Sequence, residues 1–344
     1  MSPQSQGQAP PFSIRILDHS SVYNTGQSRG NSDQLLSLLP ASYREGPGYV
    51  VAAAHNGAAC VEKELNLDRL TAINKWLWLA GLPLPPRALH HQILLGREIL
   101  VTEQMDMHLV WTTGRIFLKP LPRFLLDPDF WVTYLNCEHG CGCPLNADKA
   151  FPVTQQECQC RVLRRRALGF LFSYASLLSH ESDFLIARDK HLLPIEVKWP
   201  AWRVLVEQLD TQHIYPYIDN RFFYGELRLS RLNKIYALFQ TPLRGYMARW
   251  NQYHVFLRDH FTWLASGALY IALVLNAMQV GLATDALGTS KAFNSASYGF
   301  TVFSILGPIV TAALILLQFC GIFLWNWSKA HRWKKMRSAE LHHL

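Results

Sequence analysis

The chain has 344 residues, enough for a folded core plus a further module, and a formal net charge of +8. Charged residues make up 17% of it, below the roughly 25% of soluble domains, while 49% are hydrophobic. That balance argues against a wholly soluble protein, and the positive charge points to an anionic partner such as lipid headgroups or nucleic acid; a plainly solvated basic surface is the alternative.

The first residues, MSPQSQGQAPPFS, have neither a basic n-region nor an apolar h-region, which argues against a secretory signal. They lack arginine, which argues against a mitochondrial presequence. They read as a disordered leader, and residues 1–48 as largely disordered or loop-rich. An α+β domain is predicted over 49–242. "FSIRILD" (12–18) and "GYVVAAA" (48–54) are predicted strands, and residues 19–34 a loop. Asn66 or Asp68 caps a helix running to Leu79, stopped by Gly81 and Pro83. "PRALHHQILLG" (86–96) gives a second short helix, and its His90-His91 pair, like His342-His343, reads as a surface pair rather than as ligands. Residues 97–104, 107–111 and 115–121 alternate in polarity. They predict a small antiparallel sheet with turns at Met105-Asp106 and Thr113-Gly114. "DPDFWVTYLN" follows as a helix with Asp127 as its cap and Pro128 in its first turn.

Five of the seven cysteines then fall within 24 positions: Cys137, Cys141, Cys143, Cys158 and Cys160, with His139 among them. Two short loops of this kind offer a structural zinc ion four ligands, His139 standing in for one thiolate. The usual zinc spacing is C-x2-C, whereas each close pair here is separated by one residue. Zinc, unliganded thiols and disulfides all stay open at this point. "RRRALGFLFSYASLLSH" (164–180) has 13 uncharged residues from Ala167 to Ser179, too few to span a bilayer. It predicts a buried core helix or a membrane-surface helix led by its arginines. "WPAWRVLVEQLD" starts a helix at Pro200, and "GELRLSRLNKIYALF" makes another. A juxtamembrane helix is expected over 243–260, with Tyr246, Trp250, Tyr253 and Leu257 on one stripe.

Phe261–Ala283 and Phe300–Trp325 run 23 and 26 residues without a charge. A membrane-crossing helix needs about 20. Phe261, Trp263, Trp325 and Trp327 sit at the ends, where aromatic residues suit the interface. Arg244, Arg249 and Arg258 precede the first run, and Lys329, Arg332, Lys334, Lys335 and Arg337 follow the second. The loop at 284–299 carries only Lys291 among basic residues. Basic residues stay on the cytoplasmic side, so both ends are expected there, and the tail at 326–344 is expected to meet anionic lipid. In that reducing compartment structural disulfides are disfavoured, leaving zinc or free thiols for the cysteines.

Small and polar residues recur at helical spacing in both runs: Ala268, Ala272, Asn276 and Gln279 in the first, Ser304, Gly307, Thr311 and Gln318 in the second. They are expected to pack against each other or against a second copy of the chain. A pore lined by them is the alternative, opposed by the lack of any charge in either run. Gly307-Pro308 predicts a kink.

Gly288-Thr289-Ser290 is similar to the nucleophile segment of subtilisin-like proteases, but no companion acid or histidine segment accompanies it and it lies between the two spans. That protease reading is rejected. Neither a phosphate-binding loop, nor G-x-G-x-x-G, nor H-E-x-x-H occurs. Catalytic residues and cofactor sites are therefore not identified, beyond the zinc option.

Three runs, "TEQMDMHLVWTTGRIFLKPLPRFLLDP", "FFYGELRLSRLNKIYALFQTPLRGYM" and "GLATDALGTSKAFNSASYGFTVFSILGP", resemble a family of fungal two-span membrane proteins of unknown function. The resemblance covers roughly residues 62–325 and implies the two-span topology, but no activity, cofactor or catalytic residue. The layout is also similar to that of CorA-type cation transporters. Their Gly-Met-Asn signature is replaced here by "QVGLATD" after the first span, so only layout is shared. The expected architecture is an α+β, mainly helical cytoplasmic domain followed by a two-helix transmembrane hairpin. The expected function is a membrane-anchored interaction protein with a cytoplasmic protein partner, no nucleic acid, and self-association as an option. An oligomeric channel or transporter and a membrane-bound enzyme with an unidentified site are the alternatives.

Overall fold

The computed structural model describes residues 9–17, 31–46, 49–137, 158–240, 245–247 and 253–341. The chain divides into two compact units, Met1–Met247 and Ala248–Leu344. The architecture is mixed α+β, with helix predominating and two long apolar helices in the C-terminal part.

In the first unit, α1 (Asn31–Leu36) precedes β1 (Ser42–Glu45) and β2 (Tyr49–Ala52). Four helices follow: α2 (Gly57–Glu64), α3 (Asp68–Thr71), α4 (Leu77–Ala80) and α5 (Leu89–Leu94). Then come β3 (Glu98–Val101), β4 (Val110–Thr112), β5 (Arg115–Leu118) and α6 (Pro128–Tyr134). The unit continues with α7 (Gln159–Leu177), α8 (Glu181–Asp189), α9 (Trp199–Gln208), β6 (Leu227–Arg228) and α10 (Leu229–Phe239).

Several elements form as their local chemistry dictates. Asp127 caps α6, its Oδ1 accepting the N–H groups of Asp129 (2.8 Å) and Phe130 (3.2 Å). Thr113 and Gly114 turn β4 into β5, Gly114 supplying the left-handed φ of +71°. The amphipathic run after Arg166 is a core helix, α7, which buries Ala167, Phe170, Leu171, Tyr174 and Leu177. It is not a membrane-surface helix.

Other expectations are corrected. Phe12–Ile16 is not a strand: the N–H groups of Ser13 (2.7 Å) and Ile14 (3.3 Å) both go to Gln208 Oε1, while Phe12, Ile16 and Leu17 are buried. The stretch expected to be loop ends in α1. The single helix expected from Asn66 to Leu79 is broken into α3, a 3-10 turn at Asn74–Trp76 and α4. Ile73 and Trp76, at ψ 16° and 0°, leave the helical region, while Leu70, Ile73, Leu77 and Ala80 are all buried.

The sheet is mixed, in the order β3-β5-β4-β6. The expected β4–β5 hairpin is present, but β3 pairs with β5 in parallel. Met105-Asp106 is therefore no hairpin turn; Met105–Met107 is a 3-10 turn in a crossing that buries Met105, Met107 and Leu109. β6 joins β4 in parallel from more than a hundred residues away.

The second unit contains α11 (Tyr253–Leu282), α12 (Asp285–Gly288) and α13 (Lys291–Leu341). The helix expected from residue 243 is absent at Gly245–Met247, and the described helical part begins at Tyr253. The loop expected at 284–299 is shorter, because α13 already starts at Lys291. Ser290 caps it, with Oγ accepting the Phe293 N–H at 3.4 Å. α11 and α13 pack against each other, and Phe293 seats against Gly281, where a Cβ would come within 2.6 Å of its ring. α13 stays helical through Pro308.

Candidate functional site

Asp183 sits in the first turn of α8 and is fully buried. Its Oδ1 accepts the backbone N–H of His90 at 2.7 Å and faces His90 Nδ1 at 2.8 Å. Its Oδ2 accepts the backbone N–H of His180 at 2.9 Å and faces His180 Nδ1 at 3.4 Å. One carboxylate thus aligns two imidazoles, whose rings meet edge-on at 5.3 Å. The three residues come from the first turn of α5 and from the α7–α8 junction, and α5 packs on α8. Each imidazole nitrogen that faces the carboxylate must carry a proton or a cation, since two acceptors cannot bond. The two histidine side chains are 46% and 69% exposed, so solvent reaches the site although its acid is buried. His90 is exposed, as expected of a surface pair, and its Nδ1 also faces a buried carboxylate. Nothing local in sequence links it to Asp183, 93 positions on.

A third histidine looks like catalytic machinery and is not. His108 Nε2 lies 2.9 Å from Ser173 Oγ inside the core. But His108 Nδ1 accepts the Lys119 N–H at 3.1 Å, so the ring proton is on Nε2 and points at the serine. Ser173 Oγ in turn donates to Phe170 O at 2.6 Å. A general base needs that nitrogen empty to take the serine proton. Burial first, then the Arg221 and Lys119 cations, hold the His108 pKa well below its usual value, so the ring is neutral. The pair is a satisfied core network. Ser290, of the rejected protease tripeptide, is the helix cap described above.

Of the predicted zinc ligands, His139, Cys141 and Cys143 lie outside the described residues. Cys137 and Cys158 bring their sulfurs to 3.4 Å, joining the end of α6 to the start of α7. Cys160 is half-buried in the first turn of α7. In the second unit, Ala268, Ala272, Asn276, Gln279 and Thr311 are exposed, while Ser304, Gly307 and Gln318 are half-buried. Ser304 and Thr311 donate to carbonyls of their own helix, Phe300 O (2.7 Å) and Gly307 O (2.8 Å). The half-buried residues of α11 are apolar instead: Ile271, Val274, Leu275 and Met278.

A model of a family of unknown function, DUF6601, matches residues 57–308. The chain belongs to that family. The matched region of this DUF6601 chain runs from the first residue of α2 to Pro308 in α13, so it takes in the histidine–aspartate cluster, all of α11 and the first part of α13. The family description names no activity. Neither a curated protein nor a solved structure matches the chain.

Two further features of the DUF6601 chain were not legible beforehand. Glu226, before β6, accepts from Arg87 Nε (2.8 Å), Arg97 Nη1 (2.6 Å) and Gln92 Nε2 (2.7 Å). Burial opposes its charge, but these donors outweigh it and hold its pKa down to about 2. Arg97 also lies over the Trp111 ring at 4.1 Å. This knot ties residues 87–97 to the sheet edge. Beside it, α4 and the following loop expose Trp78, Leu82 and Leu84, each by more than half of its surface. Nearby Trp76 stacks on Phe239 at 4.4 Å.

Proposed function

We propose that this chain is a two-pass membrane protein whose first unit lies on the cytoplasmic side and binds a protein partner. The observation that carries the proposal is the state of the two apolar helices. Leu264–Leu282 and Lys291–Gly321 are long and apolar enough to cross a bilayer, and along them only Gly281 and Ser297 are buried. A core helix of a soluble protein hides such a surface, and a signal sequence lies near the start of a chain. Left in water, two helices of this composition would face solvent with Leu, Ile, Val and Phe. Lipid removes that cost.

The basic residues on both flanks support cytoplasmic ends, and the basic tail from residue 326 onward supports attraction to anionic headgroups. Asn276 and Gln279, exposed on the hairpin, are groups that hydrocarbon does not solvate, which supports pairing with a second copy. The exposed side chains of Trp78, Leu82 and Leu84 are the face offered to the protein partner.

Alkaline carbonate should leave the full chain in the membrane pellet and detergent should release it. Protease added to the cytoplasmic face should digest the first unit and leave a protected hairpin. Release by carbonate overturns the membrane reading; protection of the first unit reverses its orientation.

A further inference from the structure

We propose that His90, His180 and Asp183 form a binding site for a divalent transition-metal ion, with zinc the ion of matching chemistry. The inference is independent of membrane anchoring and goes beyond it.

One ligand atom from each residue lies within 4.8 Å of the other two. Zinc bonds to imidazole nitrogen and carboxylate oxygen are about 2.0–2.2 Å. Ligand atoms at the corners of such a tetrahedron stand about 3.3 Å apart. The two nitrogen–oxygen separations, 2.8 Å from His90 Nδ1 to Oδ1 and 3.4 Å from His180 Nδ1 to Oδ2, fall on either side of that spacing, so the carboxylate presents one oxygen to each ring. Small rotations of two exposed rings suffice to admit an ion.

The carboxylate is already oriented for the task. Backbone N–H groups of His90 and His180 hold one oxygen each, so its position does not depend on either ring. Such outer bonds keep a metal-binding acid in place. The site is buried behind Asp183 and open in front, where both rings meet solvent. Three protein ligands and an open fourth position are the arrangement of an exchangeable or reactive zinc rather than of a closed structural one. With no thiolate in the set, imidazole and carboxylate select zinc, nickel or copper over calcium.

Two things work against a cation. A proton on each ring can hold the same geometry, and the N-terminus of α8 carries partial positive charge. The first is the direct competitor, and the experiment separates it from a metal.

Purified full-length chain in detergent is titrated with cobalt(II), then with zinc. Expected are one equivalent of cobalt with weak visible bands only, and its displacement by zinc. Cobalt on thiolates gives an intense near-ultraviolet charge-transfer band, so binding at Cys137 and Cys158 announces itself separately. His90→Gln and His180→Gln should each weaken the visible-band binding at least tenfold, with circular dichroism unchanged because both side chains are exposed. His213→Gln, in an exposed pair with Asp210, should change nothing. Folded protein that binds no cobalt outside thiolates, or binding that both histidine variants retain, overturns the proposal.

Discussion

Glu226 holds its charge in a nearly closed site only because Arg87, Arg97 and Gln92 converge on it. Its folded pKa of about 2 lies below the ordinary 4.5, so the folded state binds its proton less readily than the unfolded chain. The stabilisation is complete above about pH 4.5 and is lost as pH falls towards 2, in all about 3 kcal/mol. Urea unfolding across that range should show the decline, and Glu226→Gln should flatten it while costing about 3 kcal/mol at neutral pH. Asp127→Ala should cost about 1 kcal/mol through loss of the α6 cap. Gly169→Ala should cost about 1–3 kcal/mol, read as a lowered Tm, because its Cβ would stand 2.2 Å from the Phe222 ring. The Asp127 cap was legible because cap, proline and apolar run are neighbours in sequence. The Glu226 knot and the Asp183 pairs were not, because their members are brought together only by the packing of distant elements.

Among elements, the same division holds. The β4–β5 hairpin could be read from Thr113-Gly114 and its flanks, since turn and strands are local. The parallel β3–β5 pairing and the arrival of β6 leave no such trace: alternation says that a segment is a strand but not which neighbour it takes. The helix expected over 66–79 failed for another reason: Leu70, Ile73, Leu77 and Ala80 would share one face of a continuous helix, so the apolar spacing carries no sign of the breaks at Ile73 and Trp76. The ends of α6 and α7 give the testable case. With Cys137 and Cys158 sulfurs at 3.4 Å, a mild oxidant should link them, and peptide mapping after alkylation should find the cross-link. Cys60, inside α2, should escape alkylation in native protein, because burial raises its thiol pKa to about 11. Labelling of Cys60 before unfolding would contradict the packing of α2.

For the molecule as a whole, the division into Met1–Met247 and Ala248–Leu344 predicts that the first unit folds without the second. Its core closes on its own residues, with Tyr246 buried and donating from its hydroxyl to Asp106 O at 2.8 Å. A fragment ending at Met247 should be soluble and unfold in one cooperative transition by circular dichroism. Insolubility, or a broad non-cooperative melt, would contradict it. The apolar helices were legible from length and composition alone, because uncharged runs above about 20 residues have few other uses.

α13 does not stop where its greasy stretch stops. It continues helical to Leu341, 51 residues in all, and at 1.5 Å per residue measures roughly 77 Å, over twice the thickness of a hydrocarbon layer. Lys329, Arg332 and Lys334 therefore ride on the same stiff rod as Phe293 and Ser304. A tug or twist applied to those cations is not lost in a slack tether.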